Sequence, residues 1–217
     1  MTENTSDRDL YLEAILAGQS RSALDVALGA VAKGMDVRDI YVDILQEALY
    51  EVGRLWETNR ISVSTEHLAT AITQLVVSNL YEWLPRPEKV LGRFVLTGVE
   101  GELHQVGGHM VSDALESDGW DVKFLGANVP AADVLTAIAD FHPDVLGISC
   151  TLLANLPKVS FLIGAVRKTF QASAPRIVVG GGAFRAAPEK AAELGADAWA
   201  PDMRAVIGVA RTLLPSS

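Results

Sequence analysis

Arg93-Phe94-Val95-Leu96-Thr97-Gly98-Val99, followed by Glu100-Gly101-Glu102-Leu103-His104-Gln105-Val106-Gly107, is the stretch on which the fold turns. It begins as a short apolar run suited to a buried strand. It then passes through a polar, glycine-punctuated turn into a helical pattern over Gly107–Glu116. The same rhythm recurs downstream. Further β-rich runs lie at Val122–Leu125, Val145–Ser149 and Ile177–Val179, with a weaker one at Ala196–Ala200. Helical stretches at Ala131–Asp140 and Leu156–Phe170 separate them. Strand and helix alternating on this period imply a parallel sheet with helices on both faces. Right-handed crossovers then make a five-stranded, doubly wound α/β domain the expected architecture.

Upstream the rhythm is different. From Leu10 to Leu84 apolar residues recur at helical spacing, with hardly a Gly or Pro inside the periodic stretches. Leu24, Val26, Ala27 and Val31 suit one helix, and Ile40, Ile44, Leu45, Ala48, Leu49, Val52 and Leu55 a longer one. Leu68, Ile72, Leu75, Val76, Leu80 and Trp83 suit another, while Gly34 and Asn59-Arg60 read as breaks. Four helices with short connections predict an up-and-down bundle. Pro85-Arg86-Pro87-Glu88-Lys89 is a stiff polar linker. The expected organisation is therefore an all-α cap over 1–84, a linker over 85–92 and the sheet domain over 93–217.

Composition narrows the function. A chain that is 49% apolar and 21% charged is an ordinary globular protein. The net charge of −9, with no cluster of Lys and Arg, speaks against binding nucleic acid. A single cysteine, Cys150, excludes an internal disulfide framework and a cysteine-rich zinc site. The polar, acidic start, Met1 to Asp9, is unlike a signal peptide, and no apolar run suffices for a membrane span. A cytoplasmic location is expected.

In an open parallel sheet, ligands bind beyond the carboxyl ends of the strands. There this sequence places His104, then Ser149-Cys150-Thr151, then Gly180-Gly181-Gly182. Taken singly, each has a plain reading as turn, cap or structural histidine. The glycines lack the Gly-Lys-Ser/Thr of a phosphate loop. His104 stands where a dinucleotide's pyrophosphate would have to approach.

Together these residues resemble the cobalamin-binding motif Asp-x-His-x-x-Gly … Ser-x-Leu … Gly-Gly, carried here by Glu102, His104, Gly107, Ser149, Thr151, Gly180 and Gly181. The resemblance covers nearly all of residues 90–215 and includes Leu125-Gly126-Ala127-Asn128-Val129-Pro130. It implies a flavodoxin- or Rossmann-like domain in which His104 is the lower axial ligand of cobalt. Gln105, Val106 and Gly107 belong to the same cofactor-binding turn. Ser149, Gly180 and Gly181 line a slot for the nucleotide tail. Two departures stand out: Glu102 replaces the family's Asp as acceptor for the imidazole, and Thr151 replaces Leu.

In the helical half, Trp56 and, ten residues on, Glu66-His67 resemble the Trp-x9-Glu-His signature of cobalamin-dependent photoreceptors such as the CarH regulators. There these side chains pack around the adenosyl group of adenosylcobalamin. A histidine often follows the signature Trp; here it is Glu57. The expectation drawn from this resemblance is a light sensor rather than an enzyme, binding adenosylcobalamin. A bilin such as biliverdin is a candidate second chromophore. Its output would pass through a homo-oligomer, a dimer, or a separate signalling protein. The competing expectation is a corrinoid methyl carrier of a methyltransferase system. An adenosylcobalamin mutase subunit and a Rossmann-like protein without corrinoid complete the alternatives.

Overall fold

The structure, a computed structural model, describes residues 5–214. The first residues of the acidic start and the last three of the sheet domain lie outside the described residues. The chain divides into two compact units, one up to Leu84 and one from Pro85 onward.

The first unit is helical, as expected. Helix α1 (Asp7–Leu16) begins at Ser6, whose Oγ accepts from Asp9 N at 3.2 Å. Helix α2 (Ser20–Ala32) is closed by Gly34 in the left-handed region at φ +87°. It buries Ala23, Ala27 and Ala30, whereas Leu24, Val26 and Val31 are only half-buried. Side-chain size misleads here, because an alanine face lets helices approach closely. The long periodic stretch is not one regular helix: α3 (Val37–Asp39) opens into a π-helical segment, Ile40–Gln46, before α4 (Glu47–Glu57). Five of the seven residues in that segment are buried, a wider inward face than an α-helical stripe presents. Asn59 at φ +56° turns the chain, and Ser62 caps α5 (Val63–Leu80) by accepting from Thr65 N at 3.1 Å. Ile72, Val76 and Leu80 of α5 are buried as expected, but Leu68, Leu75 and Trp83 are exposed. Inside the unit, Tyr11 Oη donates to Thr73 Oγ1 at 3.0 Å, and Thr73 Oγ1 donates on to Ala69 O at 2.9 Å.

The second unit is the doubly wound domain. In chain order it comprises β1 (Arg93–Gly98), α6 (Val106–Ser117), β2 (Asp121–Phe124), α7 (Ala131–Phe141), β3 (Val145–Ser149) and α8 (Leu156–Phe170). It continues with β4 (Arg176–Gly180), the short α9 (Gly182–Ala186) and α10 (Lys190–Glu193), β5 (Ala198–Ala200) and α11 (Met203–Leu213). Among the described residues the sheet is five-stranded and parallel, in the order β2-β1-β3-β4-β5. Val134 and Ile138 of α7 share one core with Val159, Leu162 and Val166 of α8; Leu115 of α6 shares the other with Val206 and Ala210 of α11. Gly98, Ser149, Gly180 and Ala200 stand in register, so four strands end on one line. The strand order reverses between β1 and β3, which makes the loops after those two strands the place for a ligand. Among the described residues no helix is long and apolar enough to cross a membrane.

Candidate functional site: an imidazole held by a buried carboxylate

The loop after β1 is shaped before it carries chemistry. Gly101 takes φ +80°, and its N–H donates to Asn128 Oδ1 at 2.7 Å, tying this loop to the one after β2. Glu102 follows and is fully buried. Its Oε1 accepts a short hydrogen bond from His104 Nδ1 and a second from His104 N at 3.2 Å. Its Oε2 accepts from Thr151 N at 2.7 Å, Leu152 N at 3.3 Å and Asn155 Nδ2 at 3.4 Å. One carboxylate therefore stitches the β1 loop to the β3 loop.

Burial alone would raise the pKa of Glu102. The donors from His104, Thr151 and Leu152 outweigh it and hold the carboxyl down to about 2. An ionised carboxylate on Nδ1 assigns that nitrogen the proton and directs Nε2, with its lone pair, to any metal. The His104 side chain is 54% exposed, so the imidazole stands at the surface while its anchor is buried.

The glycines divide into two kinds. Gly181 has φ +97°, and a Cβ there would lie 2.4 Å from Cys150 O, so backbone packing demands glycine whatever else binds. A Cβ on Gly180 would come within 3.2 Å of Ala200 O. Gly107 differs: it is not left-handed, and a Cβ there meets nothing within 4 Å. Neither backbone conformation nor packing explains a glycine at the first turn of α6, directly beyond the His104 loop. An open space beside a surface imidazole whose tautomer is fixed suits a broad, flat ligand whose metal needs one protein donor. A corrinoid fits these residues, since its macrocycle supplies four nitrogens.

Of the expected site residues, the sheet unit brings Glu102, His104 and Thr151 into one hydrogen-bonded group, Thr151 through its backbone N–H. Gln105 and Val106 open α6, and Ser149 is half-buried at the end of β3. In the helical unit, Trp56 near the end of α4 is 47% exposed. Glu66 Oε2 bonds His67 Nδ1 at 2.5 Å, and Glu66 Oε1 accepts from Thr70 Oγ1 at 2.9 Å, all within the first turns of α5. Asn155 was missed by the sequence reading. It is buried and bonds both Glu102 and, at 3.4 Å, Gly101 O. An amide just before α8 was the one available signal. Burial, and the nearby Glu102, push the Cys150 thiol up to about 12, so it stays protonated.

Two family models, both described as B12 binding domain, match residues 92–207 and 8–81. Over 195 residues the chain is 27% identical to dimethylamine corrinoid protein 1 of Methanosarcina acetivorans, covering 88% of this chain and 91% of that one. Its fold matches the monomethylamine corrinoid protein of Methanosarcina barkeri at a TM-score of 0.87 and 20% identity, over 98% of this chain and all of that one. A methanol:cobalamin methyltransferase complex of M. barkeri matches at a TM-score of 0.50 and 19% identity, over 97% of this chain and 80% of that one.

These relatives overturn the expectation of a light sensor. They are named as corrinoid proteins of methylamines and as a methyltransferase complex, not as photoreceptors. The Trp56 … Glu66-His67 resemblance carried the light-sensor expectation, and Glu66's own contacts are local ones. An acidic residue in a helix's first turn is favoured by the dipole and bonds its neighbours at i+1 and i+4. The names agree with the expectation of a cofactor-binding protein that is not itself an enzyme. The chain belongs to the B12-binding domain family, and its cofactor is a corrinoid.

Proposed function

We propose that this chain is a corrinoid methyl carrier, working with separate methyltransferase proteins as its partners. The observation that carries the reading is the Glu102–His104 pair at the switch point of the sheet, in a chain that aligns along 88% of its length with a dimethylamine corrinoid protein. When bound, the corrinoid supplies a cobalt centre able to take up and give back a methyl group. The chain's own residues do the rest. His104 would hold the metal through Nε2. Glu102 keeps the proton on Nδ1, and the N–H groups of Thr151 and Leu152 with Asn155 keep Glu102 ionised and aimed.

Ser149, Gly180 and Gly181 are the proposed lining for a nucleotide tail, with Gln105, Val106 and Gly107 against the cofactor near His104. Trp56, Glu66 and His67 are the helical unit's proposed contacts to the cofactor. Self-association as a dimer remains part of the proposal. The adenosyl form and biliverdin were expectations of the light-sensor reading and are no part of this one.

The test compares affinities for methylcobalamin and adenosylcobalamin, and then reduces the aquocobalamin-loaded chain and adds methyl iodide. A carrier binds the methyl form at least as tightly and retains one methyl group per cofactor through gel filtration. Strong preference for the adenosyl form, with no methyl group retained, contradicts the reading.

A further inference from the structure

Helix α5 is apolar on two sides. Its inner side, with Ala69, Ile72, Val76, Val77 and Leu80, is buried within the helical unit. Its outer side runs Ser64, Leu68, Ala71, Leu75 and Ser78, all exposed, Leu68 at 48% and Leu75 at 47%. These five recur at alternating steps of four and three, the spacing of a seam between two helices. An ordinary surface helix turns charged residues to solvent there, whereas a helix apolar all round is one that is covered all round.

Covering this stripe would strand no polar group. Ser78 Oγ donates to Gln74 O at 3.0 Å, and Ser64 Oγ bonds Ser62 Oγ at 2.8 Å, so both hydroxyls are already satisfied. The stripe carries no charge, whereas residues 5–84 hold twelve Asp and Glu against six Lys and Arg. Two copies of such a chain repel across an acidic surface and repel least where it is neutral. The stripe is also its own complement. Turned about a two-fold axis at Ala71, a second copy sets its Leu75 against Leu68 and its Ser78 against Ser64. Alanine then meets alanine at the centre, where the helices approach closest.

We infer that this stripe of α5 is the face on which a second copy of the chain docks, the two helices running antiparallel about Ala71. The inference rests on the dimer proposed above and gives it a face. With 18 residues, α5 is about 27 Å long. A single helix pair of that length buries less than the roughly 1,200 Å² of a standard interface, which makes the dimer reversible in the micromolar range.

Sedimentation equilibrium of the full chain over a concentration series, with and without cobalamin, reads the association. The parent should be a reversible dimer. Leu75→Glu should raise its dissociation constant roughly 10- to 100-fold, because it puts a carboxylate against Leu68 of the second copy. Leu75 is half-exposed, so this variant should melt and bind cobalamin like the parent. Loss of cobalamin binding in a folded variant would assign the stripe to the cofactor and overturn the inference. Cysteine substitutions test the register, and decide the matter even if Leu75→Glu fails to fold, because Cys150 is the chain's one native cysteine and is buried. Under mild oxidation Ala71→Cys should cross-link as a dimer, as should a mixture of Ser64→Cys with Ser78→Cys. Ser78→Cys alone should not, and its cross-linking would report parallel helices and overturn the register. A dimer indifferent to Leu75→Glu puts the contact on another face, overturning the inference while the dimer stands. A parent that is monomeric throughout overturns both.

Discussion

Among the described residues, one histidine–glutamate pair lies in each unit, and the two look alike on paper. In both, Nδ1 of the imidazole bonds a glutamate within two residues in sequence. In the sheet unit, Glu102 is fully buried and takes further donors from a loop about 50 residues away. In the helical unit, the Glu66 side chain is 25% exposed, the His67 side chain is 74% exposed, and Glu66's bonds to His67 and Thr70 stay within one helix. The first pair fastens two strand-end loops together and holds its imidazole in place. The second keeps its bonds within one helix terminus. What separates the two is not the pair itself but the sequence distance of its other partners.

That contrast is open to breaking, and the largest effect should come from the stitching itself. Glu102→Ala leaves the N–H groups of Thr151 and Leu152 and the Asn155 amide without their acceptor in a buried setting. It should cost about 3–5 kcal/mol of stability by denaturant unfolding. Gly181→Ala should follow at about 2–4 kcal/mol, because the Cβ would collide with Cys150 O at a left-handed backbone. Its partner experiment is Gly107→Ala. There the apo chain should change by no more than about 0.5 kcal/mol, while corrinoid affinity falls. A destabilised Gly107→Ala would show that packing, not a ligand, explains that glycine.

Acid should sharpen the contrast further. Glu102 is depressed from its ordinary 4.5 to about 2 in the fold. Its contribution is therefore complete above about pH 4.5 and is lost as pH falls toward 2. At about 1.4 kcal/mol per pH unit, this amounts to about 3 kcal/mol. Unfolding curves between pH 5 and 2 should be steeper for the parent than for Glu102→Gln. Smaller still is the helical unit's own terminus: Ser62→Ala removes the acceptor for Thr65 N and should cost about 1 kcal/mol. His67→Ala should sit within about 0.5 kcal/mol of the parent. A loss as large as that of Glu102→Ala would erase the distinction between the two pairs.

The same contrast accounts for what was legible in the sequence. The doubly wound domain could be read from strand–helix alternation, since every strand of a parallel sheet is an apolar run closed by a turn. His104 and Glu102 were visible because motif residues cluster at strand ends, where topology collects them. Asn155 was not, because its role depends on β3 standing beside β1, a long-range fact with no local pattern. The alanine face of α2 and the π-helical segment after α3 escaped for a related reason. Periodicity records which residues are apolar, not how closely two helices approach or how a turn widens. The light-sensor expectation came from three residues of the helical unit, matched by their spacing and immediate neighbours. The strand-end motif came from loops that the fold must bring together.

The most direct test of the central claim is the absorption spectrum of the chain reconstituted with cobalamin, recorded alongside His104→Ala. The account predicts a spectrum in which the nucleotide base is off the cobalt and a protein imidazole is on it. In His104→Ala it predicts loss of that imidazole signature, with a large fall in affinity. A spectrum unchanged by the substitution would place the cobalt ligand elsewhere and contradict the account.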